Sequence, residues 1–175
     1  ANDMAQLSRI GVLYESDEWS DHKLAAELVT ALADACGDGA PTVEMIDMTR
    51  GDCVERALGC DMLVSRVFAS ARFRGHDAAL AHMERLVDEV RARGIVMINE
   101  PRAHRYEISK VAATRTLAEA GLMTPAIIAF GMPEELDASA FAYPCVIKPD
   151  CGGRSTHTLL ARDADEARRF IAQAP

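Results

Sequence analysis

The residues best suited to chemistry gather in residues 143–160, Tyr-Pro-Cys-Val-Ile-Lys-Pro-Asp-Cys-Gly-Gly-Arg-Ser-Thr-His-Thr-Leu-Leu. Cys145, Val146 and Ile147 are apolar and partly β-branched, and Pro144 and Pro149 bracket them, which predicts a short buried strand with Lys148 as its last residue. Burying an ammonium costs free energy unless an anion pairs with it. Gly152 and Gly153 allow the backbone to fold closely over such an anion, and Ser155, Thr156 and Thr158 add hydroxyl donors. Arg154 and His157 make the loop cationic. The chemistry this set could perform is the holding of a phosphate. The same residues also fit an ordinary glycine hairpin whose lysine reaches into water, so this stretch alone leaves both readings open.

Such a loop needs elements to hold it. Residues 9–15, with Ile10, Val12, Leu13 and Tyr14, form the compact apolar run of an interior parallel strand. A helix follows, which Ser20 can cap; it buries Leu24, Leu28, Leu32 and Cys36, flanked by Ala25 and Val29, and stops at Gly37. Strands at 43–48, 61–68 and 95–98, with a short helix after the second and a longer one over 76–93, complete a β/α alternation. The longer helix buries Leu80, Met83, Leu86, Val87 and Val90 and ends at Gly94. This order predicts an open parallel α/β sheet, whose ligands gather at the carboxyl ends of the strands. Arg66, Arg72 and Arg74 fall at and beyond the third strand's carboxyl end, where they would receive an acidic substrate or simply form a solvated loop.

Beyond Pro101 the alternation gives way to a helix over 106–120 closed by Gly121, a short strand over 126–130, a helical turn at 133–136, the hairpin around Lys148, and a last helix. Asp163 and Glu166 form a capping-box pattern for that helix rather than a metal site, with Ala167, Phe170 and Ile171 inward. The expected domains are 8–101 and 102–175, the boundary falling near residues 99–104.

Composition narrows the function classes. In 175 residues, 49% hydrophobic residues suffice for a sizeable core. A net charge of -8 and the lack of a basic run argue against nucleic-acid binding. Five cysteines at irregular spacings, without a Cys-x-x-Cys pair, predict free thiols rather than a zinc site. Residues 1–8 carry no apolar signal core, and no apolar run approaches the ~20 residues needed to span a bilayer. A cytoplasmic protein without a membrane partner is expected. The turn Glu15-Ser16-Asp17-Glu18 after the first strand has no glycine and three acids, which would repel a pyrophosphate and excludes a dinucleotide fingerprint.

Several segments together carry a resemblance. A strand ending in Asn99-Glu100-Pro101, then Ile108-Ser109-Lys110, then Leu117-Ala118-Glu119-Ala120-Gly121-Leu122-Met123-Thr124-Pro125, then Tyr143-Pro144-Cys145-Val146-Ile147-Lys148-Pro149 and the Gly-Gly loop resemble the ATP-grasp superfamily. The branch resembled is that of ribosomal-protein glutamate ligases and D-alanine ligases. The match covers residues 95–172, and the preceding α/β unit is similar to the domain that precedes ATP-grasp in such enzymes. The fold implied is an open parallel sheet followed by the first, α+β subdomain of an ATP-grasp fold, truncated.

The function implied by the resemblance is that of the N-terminal portion of a magnesium-dependent ligase, which phosphorylates a carboxylate with ATP and lets an amine or thiol attack the acylphosphate. Lys110 and Lys148 would contact ATP phosphates or adenine. Gly152, Gly153, Arg154, Ser155, Thr156 and His157 would belong to the loop that closes over the triphosphate. The acid would be a small molecule or a peptide, and a homo-oligomer is compatible with the family. The sequence departs from the family where Ser109 replaces a usual aspartate and where Arg154 and His157 replace common glycines. The magnesium ligands are expected in a further C-terminal half, so this chain alone is expected to be inactive. The alternative is a noncatalytic module that binds a nucleotide or a partner.

Overall fold

The computed structural model describes residues 7–16 and 19–174. Expectations placed on residues 1–6, on Asp17 and Glu18, and on Pro175 lie outside the described residues. The chain divides into two compact units, the first ending at Arg105 and the second beginning at Tyr106.

The first unit is an α/β layer structure. Strands β1 (Arg9–Tyr14), β2 (Thr42–Asp47), β3 (Met62–Ser65) and β4 (Val96–Ile98) make one parallel sheet in the order β2-β1-β3-β4. Ile10 lies opposite both Val43 and Met62, and Leu63 lies opposite Met97. Because β1 sits between two strands and under helices, Ile10, Gly11, Val12 and Leu13 are all buried, the continuous apolar run of an interior parallel strand. Gly11 is a packing glycine: a Cβ there would come within 2.9 Å of Ile46 and Leu63 and 3.0 Å of the Cys60 sulfur.

Helix α1 (Trp19–Cys36) buries Asp21 and Ala25, while Leu24, Leu28 and Leu32 are half-buried. Val29 and Cys36, expected inside, are exposed, and Ser20 lies within the helix rather than capping it. Helix α2 (Cys53–Leu58) is short, and α3 (Asp77–Arg93) presents Ala79, Leu80, Met83, Leu86 and Val90 to the core, with Val87 half-buried. Gly94, in the left-handed region at φ 68, donates to the carbonyls of Val90 and Arg91 and ends α3.

One uninterrupted helix over 106–120 was expected; instead α4 (Pro101–Ile108) and α5 (Lys110–Glu119) meet at Ser109. Ser109 is extended (φ -132, ψ 110), and its hydroxyl accepts the Ala112 N–H at 3.0 Å, so it is an N-cap where a continuous pattern suggested a helix interior. The strand expected over 126–130 is absent, because no neighbouring strand pairs with it, and Ile127, Ile128 and Phe130 are exposed.

The second unit centres on an antiparallel hairpin, β5 (Cys145–Ile147) with β6 (Leu159–Ala161), followed by α6 (Ala164–Ile171). Its small core joins Ala138, Cys145, Ala161, Ala167 and Ile171 to Leu136, Phe141, Tyr143, Ile147 and Leu159. Asp163 caps α6 by accepting the N–H groups of Asp165 and Glu166, and Glu166 reaches back to the Arg162 N–H at 2.8 Å. Among the described residues no helix is long and apolar enough to cross a membrane.

On β2, Glu44 accepts from Arg56 at 2.7 Å and from Arg9 at 2.5 Å. The Arg56 guanidinium first, and then Arg9, hold the Glu44 carboxyl below the usual glutamate range. A lowered folded-state pKa contributes stability above the unfolded value and loses it as pH falls through the folded value. Urea unfolding across the acid range is therefore expected to show a shallower loss of stability in Glu44→Gln than in the wild type; identical pH profiles would remove Glu44 from the acid response.

Candidate anion-binding loop and the carboxyl edge of the sheet

In β5 the pleat alternates its side chains between two faces. Cys145 is buried and Ile147 half-buried, while Val146 is 59% exposed. Lys148 continues the outward phase one residue beyond the strand, so it is exposed rather than buried as expected. It makes no hydrogen bond or ion pair among the described residues. Its charge is therefore available to a ligand instead of being held by the protein.

After Pro149 the chain enters the loop. Gly152 is buried with φ 155, a conformation that excludes most side chains. Arg154 and Ser155 both have φ 55, and the Thr156 N–H donates to the Gly153 carbonyl at 3.0 Å, the pattern of a type I′ turn. Neither central residue is glycine, so the turn is held against a backbone preference of about 1–2 kcal/mol per residue. The N–H groups of Gly153 and Ser155 have no partner among the described residues. Ser155, Thr156 and Thr158 are exposed beside them.

His157, at φ 52, is half-buried. Its ring stacks on Phe170 of α6, with centroids 4.6 Å apart and planes 25° from parallel, and its Nε2 is buried without a hydrogen-bond partner among the described residues. The far end of the loop is thereby pinned to α6.

Lys110 and Asp150 hold the near end. The Lys110 ammonium donates to the carbonyls of Asp150 at 3.0 Å and Gly152 at 2.6 Å. Asp150 Oδ1 accepts the Val111 N–H at 2.8 Å, so Asp150 and Ser109 share the capping of α5. Asp150 was overlooked as a functional residue in the sequence; the only signal was its place between Pro149 and the glycine pair.

The three arginines read either as receivers of an acidic substrate or as a solvated loop lie in the first unit, at the carboxyl edge of the sheet. Here β1 and β3 are neighbours where the strand order reverses, the position at which open α/β sheets bind ligands. Each arginine meets a carboxylate. Arg74 is spent: its Nε and Nη2 donate to buried Glu15, and its Nη1 donates to Ser70. His76 Nδ1 lies 2.5 Å from the same Glu15, which is only 4% exposed. Arg72 forms an exposed pair with Asp77 at 3.5 Å.

Arg66 differs. It donates through Nε alone to buried Asp21 at 2.8 Å, and its guanidinium lies 5.0 Å from the Phe68 ring centroid. Its two Nη groups have no partner among the described residues, so Asp21 and Phe68 orient a donor fork suited to a planar anion. Glu15 was read in the sequence only as one of three acids that would repel a pyrophosphate, and Asp21 and His76 were not singled out.

Among the described residues no group of three or more His, Cys, Asp or Glu side chains could hold a metal ion, and all five cysteines are free. Comparison with known proteins found no matching family model and no similar curated sequence.

The left-handed turn gives a direct test of the backbone geometry. Ser155→Gly is expected to raise the unfolding free energy by about 0.5–1 kcal/mol in urea titrations, because glycine adopts φ 55 without the Cβ penalty. A loss of stability would contradict the turn assignment.

Proposed function

We propose that the chain is the N-terminal portion of an ATP-dependent carboxylate ligase of the ATP-grasp type. The observation that carries the reading is the coincidence of an unpaired, exposed Lys148 with a loop whose Gly153 and Ser155 N–H groups are unspent. Successive N–H groups around left-handed residues form concavities that hold anions, and a lysine at the rim adds a full charge. Phosphoryl transfer asks mainly that phosphates be positioned and their charge neutralised, which these groups can do.

In this reading Lys148 and the loop over Gly153, Arg154, Ser155 and Thr156 meet the triphosphate, while buried Gly152 and the stacked ring of His157 hold the loop in shape. A carboxylate oxygen of the acid substrate attacks the terminal phosphorus of ATP; the bond to the bridging oxygen breaks, leaving ADP and an acylphosphate. An amine or thiol then attacks the acyl carbon and phosphate departs with the bonding pair. Magnesium would neutralise phosphate charge in this step.

The open surface of the second unit supports reading it as one part of a larger fold. A two-stranded hairpin is marginal on its own, and the cross-strand pair Val146 and Leu160 is 59% and 52% exposed. Ile127, Ile128 and Phe130 add further exposed apolar surface.

Calorimetric titration with ATP tests the assignment. Lys148→Met is expected to weaken binding about tenfold or more, the usual consequence of losing a charge-assisted contact to phosphate. Arg168→Met is expected to stay within about twofold of wild type, because Arg168 is exposed on α6 and paired with Asp165. Equal losses in both variants would take Lys148 out of the site.

A further inference from the structure

We propose that Lys110 and Asp150 form a latch that positions the loop over residues 150–157, Lys110 acting on the loop rather than on its ligand. The inference rests on reading that loop as an anion cradle. Four hydrogen bonds join the start of α5 to the loop. The Lys110 ammonium bridges the carbonyls of Asp150 and Gly152, the Lys110 N–H donates to the Asp150 carbonyl at 3.3 Å, and the Val111 N–H donates to the Asp150 carboxylate.

The two carbonyls held by the ammonium flank Cys151, so Lys110 clamps the bend in which Gly152 takes φ 155. Asp150 works in both directions: its main chain receives the lysine, and its side chain caps the helix that carries that lysine. Gly152 is buried, so freeing its carbonyl would leave an acceptor without a partner. With the His157 ring stacked on Phe170, the loop is fixed at both ends, and the intervening Gly153 and Ser155 N–H groups are the ones left unspent. The division of labour follows: Lys110 has two of its three protons committed to the protein, whereas Lys148 has none committed among the described residues. Lys110 is thus a positioning residue, and Lys148 is the cation that meets the ligand.

The test compares wild type, Lys110→Met, Lys110→Arg and Asp150→Asn by amide hydrogen exchange over 150–156 and by the rate of trypsin cleavage after Arg154. The midpoint of urea unfolding serves as the control for global stability. Lys110→Met is expected to raise exchange and cleavage about tenfold, with the urea midpoint falling by no more than that tenfold accounts for, the scale of local opening when one charge-assisted bond is lost. Lys110→Arg, which keeps donors for both carbonyls, is expected to restore most of the protection; this rescue remains readable if Lys110→Met does not fold. Exchange within twofold of wild type in folded Lys110→Met, or no rescue by arginine, overturns the latch.

A second arm adds ATP to the wild type. Unchanged protection over 150–152 on binding supports a positioning role, and a rise there, showing the ammonium leaving its carbonyls for the phosphates, overturns it. If Lys110→Met opens the loop but ATP produces no binding heat with wild type, the latch stands and the triphosphate reading falls.

Discussion

Asp150 is the residue on which the second unit turns. A strand end and a helix start lie 40 positions apart in sequence, and this one residue joins them through its carbonyl and its carboxylate at once. Each end of the loop is then settled by a different physical device: a charge-assisted bridge at Gly152, and an aromatic stack at His157. The left-handed backbone of Arg154 and Ser155 can persist because both ends are held, since an unanchored turn would relax toward the sterically favoured region. The strain and the donors unspent among the described residues therefore occur at the same few positions.

The first unit treats its charges the opposite way. Glu15 and Asp21 are buried at the carboxyl edge, and burying a carboxylate is tolerable only with a cation beside it. Arg74 and Arg66 supply those cations, and His76 Nδ1 lies against Glu15, so most of the arginine charge at this edge is consumed in keeping two acids inside. What remains is the outward fork of Arg66, whose direction is set by its acidic and aromatic neighbours. A count of arginines near a strand end overstates the charge a ligand would meet; the buried acids decide how much is left.

The parallel sheet was legible in the sequence because its strands are apolar runs separated by helices of clear period, and because Gly94 marks the end of α3. The cap of α6 was legible for a similar reason, since Asp163 and Glu166 act within one turn of each other. The break at Ser109 was not. Nothing local separates a serine inside a helix from a serine that starts one, and here the deciding partner, Asp150, is remote in sequence. The exposure of Lys148 could have been read from the pleat: treating Cys145, Val146 and Ile147 as one buried run hid the alternation that turns Val146 and Lys148 outward together. The spent state of Arg74 depends on a contact with Glu15 across 59 positions, which no spacing rule supplies.

The most direct measurement of the central claim is a titration of the isotopically labelled chain with ATP, followed through its backbone amide resonances. Saturable shifts at Gly153 and Ser155, with the resonances of Val12 and Leu13 in the interior strand unmoved, are the predicted result. No shift at those two amides, or a drift of equal size throughout the chain, would show that the loop is a structural hairpin and not a cradle for phosphate.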